Sequence, residues 1–192
     1  MNQKDYIVVR ELFALAEKRI KLVEQLDTEI VIPAINQLRY VGQHVIESLF
    51  LDDVGRAQHI QEAEIHASRA AYDALEAGTL DLLLEFEQFK DDFRKITIGD
   101  VIPDYLDICE AVDNTRTVLS NLNNRRHCNM HNELQSHFDK LLQISHRLTV
   151  AREELTKKLN DLRRRKLIVL GRIFIALVGV IVGIVGLLVM LF

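Results

Sequence analysis

The sequence predicts an all-α protein: a helical bundle with a long C-terminal stalk helix that continues into a single transmembrane helix. Two observations lead to this prediction. The chain of 192 residues contains only two prolines and eight glycines, and it is rich in residues that favour helices. Its last twenty residues, 173–192, carry no charge and no strongly polar group. Twenty helical residues span about 30 Å, which is the thickness of the hydrocarbon core of a bilayer.

Apolar residues recur at helical spacing in five segments before the last helix. The third segment carries five alanines at steps of three and four, and such small residues let another helix approach closely. We expect Gly78 and Thr79 to break this helix or to cap its end. The predicted elements are helices over residues 5–26, 33–51, 56–77, 80–93 and 104–120, with a loop over 96–104.

Five leucines in the last helix are spaced by seven residues, from Leu134 to Leu162. This repeat is typical of a coiled coil or stalk through which copies of a chain associate. The alternative is that the leucines pack on the other helices of the same domain. We predict a cytoplasmic bundle over 1–121, a stalk with a basic juxtamembrane run over 122–166, and the transmembrane helix over 167–192.

The predicted membrane segment follows a run of four cations, Arg163, Arg164, Arg165 and Lys166. The positive-inside rule then places the N-terminal body in the cytoplasm and predicts a tail-anchored, single-pass protein. We expect the four cations and Arg172 to meet anionic lipid headgroups. The net charge of the chain is −4 and these five cations carry +5, so the other residues together carry −9. An acidic body argues against nucleic-acid binding over its whole surface.

Small residues form a stripe in the membrane segment: Ala176, Gly179, Gly183 and Gly186 follow one another at steps of three, four and three. Lipid provides no hydrophobic drive between helices, so close backbone contact through small residues holds membrane helices together. The stripe predicts an oligomer face and a homo-oligomer. The alternative is that glycine is simply common in membrane helices.

The segment NNRRHCNMHN, residues 123–132, contains Arg126, His127 and His131 in the order Arg-polar-x3-His. A histidine can act as general acid or base toward a 2′-hydroxyl, and an arginine can hold a phosphate and stabilise developing charge. The pattern resembles the motif of HEPN domains, all-helical modules of which many are metal-independent endoribonucleases. The resemblance implies that Arg126 and His131 are catalytic, that two copies meet at the motif, and that RNA is a substrate. The alternative is a polar turn without catalysis.

The combination of a helical body with one membrane helix is also similar to small bacterial membrane proteins of antiviral defence. Some HEPN-like proteins that accompany RNA-targeting CRISPR effectors have this architecture. The resemblance implies a defence role for the chain.

Other polar groups are expected to be structural. Arg39 and His44 repeat the five-residue spacing but flank an apolar stripe, and Cys109 and Cys128 are expected to be reduced core residues. The third helix carries His59, Glu62 and His66 on one face, which a metal could use, but we expect a salt-bridge stripe there. We expect no metal and no cofactor. The sequence has no phosphate-binding glycine loop, zinc cysteine pair or nucleophile elbow.

The function predicted from the sequence is that of a self-associating helical membrane protein, a scaffold or a membrane-perturbing effector. The alternative is a membrane-tethered HEPN-type ribonuclease that uses Arg126 and His131. Whether the protein is an enzyme stays open. The expected partners are the membrane and further copies of the chain, and RNA or another protein are additional candidates.

Overall fold

The computed structural model describes residues 6–26, 30–123 and 131–191, with the side chains of 122–123, 131 and 180–191 left out. Every regular element in these ranges is helical, which confirms the predicted all-α class. The elements are α1 (Ile7–Glu24), α2 (Ile32–Ser48), α3 (Asp53–Phe93), a 3-10 turn (Ile98–Asp100), α4 (Tyr105–Asn123) and α5 (His131–Leu191).

Helix α3 is continuous over 41 residues, so the predicted break at Gly78 and Thr79 is wrong. Its N-terminus is capped by Asp52, whose carboxylate accepts a hydrogen bond of 2.9 Å from the Gly55 backbone N–H. Thr79 is buried inside the helix, where its hydroxyl donates to the Leu75 carbonyl oxygen at 2.7 Å. The residues that predicted an interruption therefore lie within the helix, because tertiary packing outweighs a local preference of about 1 kcal/mol.

Gly78 lies where α1, α3 and α5 cross. A β-carbon at this position would stand 2.6 Å from Cγ2 of Val23 on α1 and 2.9 Å from Cε2 of Phe138 on α5. Both distances are far shorter than a carbon–carbon contact of about 3.5–4.0 Å. Glycine is therefore needed here for a close approach of helices, and no turn is involved.

The first half of α3 packs against α1 and α2 through its alanine-rich face. Five alanines of this face are at most 1% exposed, and Val9 of α1, Val41 of α2 and Ile60 of α3 extend the same contact. Small side chains let the helix axes approach to about 8 Å, the short end of the usual range. The buried alanines are Ala63, Ala67, Ala70, Ala71 and Ala74.

The second half of α3 packs against α5 through large side chains. Phe86, Phe89 and Phe93 of α3 share one core with the leucine repeat of α5. Four leucines of that repeat are at most 3% exposed: Leu134, Leu141, Leu148 and Leu155. The leucines thus pack on the helices of their own domain, as the alternative interpretation had it. The first part of the predicted stalk, as far as Leu159, belongs to the core of the bundle.

We expect Gly78→Ala to lower the free energy of unfolding. Overpacking costs about 1–3 kcal/mol, which exceeds the gain of up to about 1 kcal/mol that alanine brings to a helix. Gly42 on α2 is the matched control, since a β-carbon there meets nothing within 4 Å. Gly42→Ala should raise the Tm measured by circular dichroism, whereas Gly78→Ala should lower it. A Gly78→Ala protein as stable as the parent would contradict this account of the crossing.

Candidate functional site

Helix α5 continues well beyond the bundle. It has 61 residues, and beyond Leu159 every described side chain is exposed except that of Leu162, which is half-buried. The helix runs on to Leu191, about 45 Å past Leu162 at 1.5 Å per residue. One helix therefore supplies part of the core and then a long extension whose described side chains are almost all exposed.

The extension exposes a continuous apolar surface. Nine large apolar side chains are 43–73% exposed between residues 167 and 178, and they lie on all sides of the helix. Monomeric soluble proteins rarely expose contiguous apolar patches of more than a few hundred Å². A helix that is apolar all round is typical of burial in a membrane or in a large core. The nine are Leu167, Ile168, Val169, Leu170, Ile173, Phe174, Ile175, Leu177 and Val178.

In the part of the chain that the structure describes, no helix is both apolar enough and long enough to cross a membrane. The predicted transmembrane helix, residues 167–192, is described only in part. The structure describes residues 167–179 with side chains and residues 180–191 by their backbone alone. Gly183 and Gly186 of the predicted oligomer face fall in this portion. Ala176 and Gly179 are described, and both are exposed.

The cations predicted to meet lipid lie between the core and the apolar extension. Arg163, Arg164, Arg165 and Lys166 are all exposed, and Arg172 is exposed within the extension. Beside them is a cavity of about 590 Å³ between α5 and the segment that follows α3. Lys158 Nζ lies 3.7 Å from a carboxylate oxygen of Asp100 at its wall. The charged residues of the wall, four cations and two carboxylates, are Arg94, Lys95, Asp100, Lys158, Asp161 and Arg165.

The geometry of the HEPN-like motif falls outside the part of the chain that the structure describes. Arg126, His127 and Cys128 lie outside the described residues, and His131 begins α5 without a described side chain. The ribonuclease interpretation therefore stays a prediction. Cys109, the other cysteine, is half-buried on α4.

A histidine cluster lies between α2 and α3, formed by His44 of α2 with His59, Glu62 and His66 of α3. All four side chains are half-buried. The His44 ring is 5.2 Å from the ring of His59 and 5.2 Å from that of His66, centroid to centroid. One donor atom each of His44, Glu62 and His66 lie within 4.8 Å of one another. Spacing in the sequence pairs His44 with Arg39, and the expectation from the sequence is that no metal binds here.

The His66 ring is oriented by two neighbours. Its Nδ1 lies 2.7 Å from Oε1 of Gln37, and the Tyr40 ring is 5.2 Å away. An amide oxygen can only accept, so Nδ1 donates and Nε2 of the neutral ring keeps its lone pair. Burial, His44 and Arg69, in that order, lower the pKa of His66, and Glu62 opposes them. The environment therefore favours the neutral ring, the form that can bind a metal.

The other two histidines face each other. Nδ1 of His44 and Nδ1 of His59 are 3.0 Å apart, so one ring donates to the other. Glu47 Oε2 lies 3.9 Å from Nε2 of His59, and this carboxylate oxygen is best matched by the His59 tautomer that carries its hydrogen on Nε2. His59 then accepts at Nδ1, His44 donates at Nδ1, and Nε2 of His44 is left with a lone pair.

The helical hairpin explains why His44 was missed. The turn between α2 and α3 lies near residues 49–52, so His44 of one antiparallel helix faces His59 of the other and Gln37 faces His66. Spacing along one helix identifies His59, Glu62 and His66 but says nothing of a fourth group on another helix. The sequence does contain a signal for His44. If α2 and α3 form a hairpin about Asp52, His44 and His59 lie at nearly equal distances before and after that residue and therefore face each other.

No protein-family model, curated protein or solved structure matches the chain. The two candidate sites are therefore defined by their geometry: the extension of α5 with its adjoining basic cavity, and the histidine cluster.

Proposed function

We propose that the chain is a membrane-tethered helical protein that associates with copies of itself and acts at the membrane as a scaffold or membrane-perturbing effector. The exposed apolar surface of α5 is the observation that carries the proposal. A fully buried large apolar side chain gains about 1.5–3 kcal/mol, so nine half-exposed ones gain on the order of 10 kcal/mol on entering lipid. Arg172 opposes this by about 3 kcal/mol at the bilayer centre and by less near the boundary. The free energy gained by burying the apolar side chains in lipid therefore exceeds the cost of burying Arg172.

The order of residues along α5 supports the same proposal. Packed leucines end at Leu159, exposed cations follow at 163–166, and the apolar surface begins at Leu167. A helix that leaves an aqueous domain, passes lipid headgroups and enters hydrocarbon requires this order. Each cation near an anionic surface contributes about 1 kcal/mol, and the positive-inside rule puts the bundle on the cytoplasmic side.

The cavity beside the cations supports a specific contact with an anionic headgroup. Four cations and two carboxylates line it, and one of the carboxylates, Asp100, is already engaged with Lys158. Arg94 and Arg165 each present a guanidinium that can hold two phosphate oxygens at once. Arg165 also belongs to the basic run, so a headgroup bound here would sit where α5 enters the membrane.

Self-association is proposed through the small-residue stripe. A β-carbon at Gly179 would meet nothing within 4 Å in the single chain. A larger side chain at this position therefore has room in the single chain. Its main effect is expected on the contact between the helices of two copies.

Ending the chain at Lys166 should release the protein from membranes. The deletion removes the apolar surface and leaves the core, which ends near Leu159, intact. Full-length protein should resist extraction from membranes with alkaline carbonate, and the shortened protein should fractionate as soluble with unchanged helical circular dichroism per residue. The control is Phe50→Lys with Val54→Lys, which adds charge to another exposed apolar surface, 84% and 79% exposed at these residues. Membrane binding by the shortened protein, or its loss in the control, would refute the tether.

Arg94→Gln and Arg165→Gln should each weaken retention of phosphatidylglycerol by the full-length protein in detergent. The loss of one cation at about 1 kcal/mol corresponds to roughly fivefold weaker binding. Native mass spectrometry counts the retained lipid molecules. Arg10→Gln is the control, since Arg10 is exposed on α1 at the other end of the bundle. Equal retention by all three variants would argue against a headgroup in the cavity.

Gly179→Leu should reduce the mass of the particle in detergent, because it separates the helix backbones that the stripe brings together. Gly171→Leu is the matched control on the same helix, since Gly171 also has open space around it and lies outside the stripe. Light scattering coupled to size exclusion gives the protein mass of each variant. A Gly179→Leu particle with the mass of the parent would count against this oligomer face, and so would a monomeric parent.

A further inference from the structure

We propose that His44, Glu62 and His66 bind a divalent transition-metal ion, with Zn²⁺ as the best fit, and that His59 positions His44 for this role. The site is independent of membrane tethering, because it lies on α2 and α3 and not on the extension of α5. The geometry that leads to the inference is the convergence of three donor atoms within 4.8 Å from two helices.

The donor set selects the class of metal. Two imidazoles and one carboxylate suit Zn²⁺ and its neighbours, whereas Ca²⁺ and Mg²⁺ prefer all-oxygen sites. Two histidines with one glutamate are a known three-ligand zinc set, with a fourth position left for water or another ligand. Zinc bonds of about 2.0–2.1 Å place tetrahedral ligand atoms roughly 3.3–3.5 Å apart. Donor atoms within 4.8 Å reach that spacing with side-chain movements of about 1 Å.

The hydrogen bonds behind the rings leave the lone pairs available. His66 donates from Nδ1 to Gln37 at 2.7 Å and therefore offers Nε2. His44 is backed by His59 at 3.0 Å, which is in turn backed by the charge of Glu47. Such partners behind a ligating histidine determine its tautomer and strengthen it as a ligand. Both ligating imidazoles thus have the neighbours that zinc-binding histidines usually have.

The framework that holds the ligands is closely packed. Glu62 and His66 are four residues apart on α3 and so lie on one face of the helix. Ala63 and Ala67, the residues that follow them, are fully buried against the other helices. The alanine contact keeps α2 and α3 close enough for His44 to reach its partners. The alternative is that the stacked histidines only stabilise the contact between α2 and α3. In that case Zn²⁺ would neither bind to the cluster nor change the stability of the protein.

Titration of full-length protein in detergent with Zn²⁺ alone tests the proposal. We expect one ion per chain at this site, with calorimetry giving the dissociation constant and excess Zn²⁺ raising the Tm. His44→Gln, Glu62→Gln and His66→Gln should each weaken binding by more than about 100-fold, since loss of a partner behind a ligand already costs about 10–100-fold. His59→Gln should weaken Zn²⁺ binding by only about 10–100-fold and should still bind one ion per chain.

His146→Gln is the matched control, because His146 is an exposed histidine on α5 away from the cluster. It should bind Zn²⁺ as the parent does. Zinc-edge X-ray absorption of the unaltered protein provides a measurement that needs no variant to fold, and it should show two imidazole nitrogens with oxygen ligands at about 2.0–2.1 Å. Absent binding, equal binding by the cluster variants, or a spectrum without imidazole would overturn the proposal.

Discussion

The crossing of α1, α3 and α5 at Gly78 is the contact on which the rest of the bundle depends. Helix α3 has 41 residues, about 60 Å, and different neighbours cover its two halves. The first half presents alanines, so α1 and α2 lie close to it. The second half presents phenylalanines, which fill the wider space up to the leucines of α5. Val23 and Phe138 both approach Gly78 between the halves, where only a residue without a side chain leaves room for them.

The alanine contact also connects packing with chemistry. Close approach of α2 and α3 stabilises the hairpin through burial of small apolar residues, and it brings polar side chains at the rim of the same contact within hydrogen-bonding range. His44 meets His59 at 3.0 Å, and Gln37 meets His66 at 2.7 Å. Larger residues in place of Ala63 and Ala67 would move the helices apart and separate these pairs. The proposed metal site thus requires the small residues beneath it.

Helix α5 joins two environments within one continuous element. As far as Leu159 the leucines of its repeat are buried in the bundle, and beyond Lys166 its described apolar side chains are exposed. The basic run and the cavity occupy the short interval between these parts. Because the helix is continuous, the distance from the core to the apolar surface is set by the rise of about 1.5 Å per residue. If the extension inserts into a membrane as proposed, the continuous helix holds the bundle at a defined distance from the bilayer.

Local patterns in the sequence were enough to determine the all-α class, the alanine face of α3 and the apolar character of the last segment. These properties depend on composition and on spacings of three and four residues, which are visible within one helix. The tertiary structure alone decided that α3 continues through Gly78, that the leucine repeat packs on its own domain, and that His44 joins Glu62 and His66. Each of these depends on which helix lies opposite and in what register. Contacts between helices set that register, and no periodicity within a single helix records it.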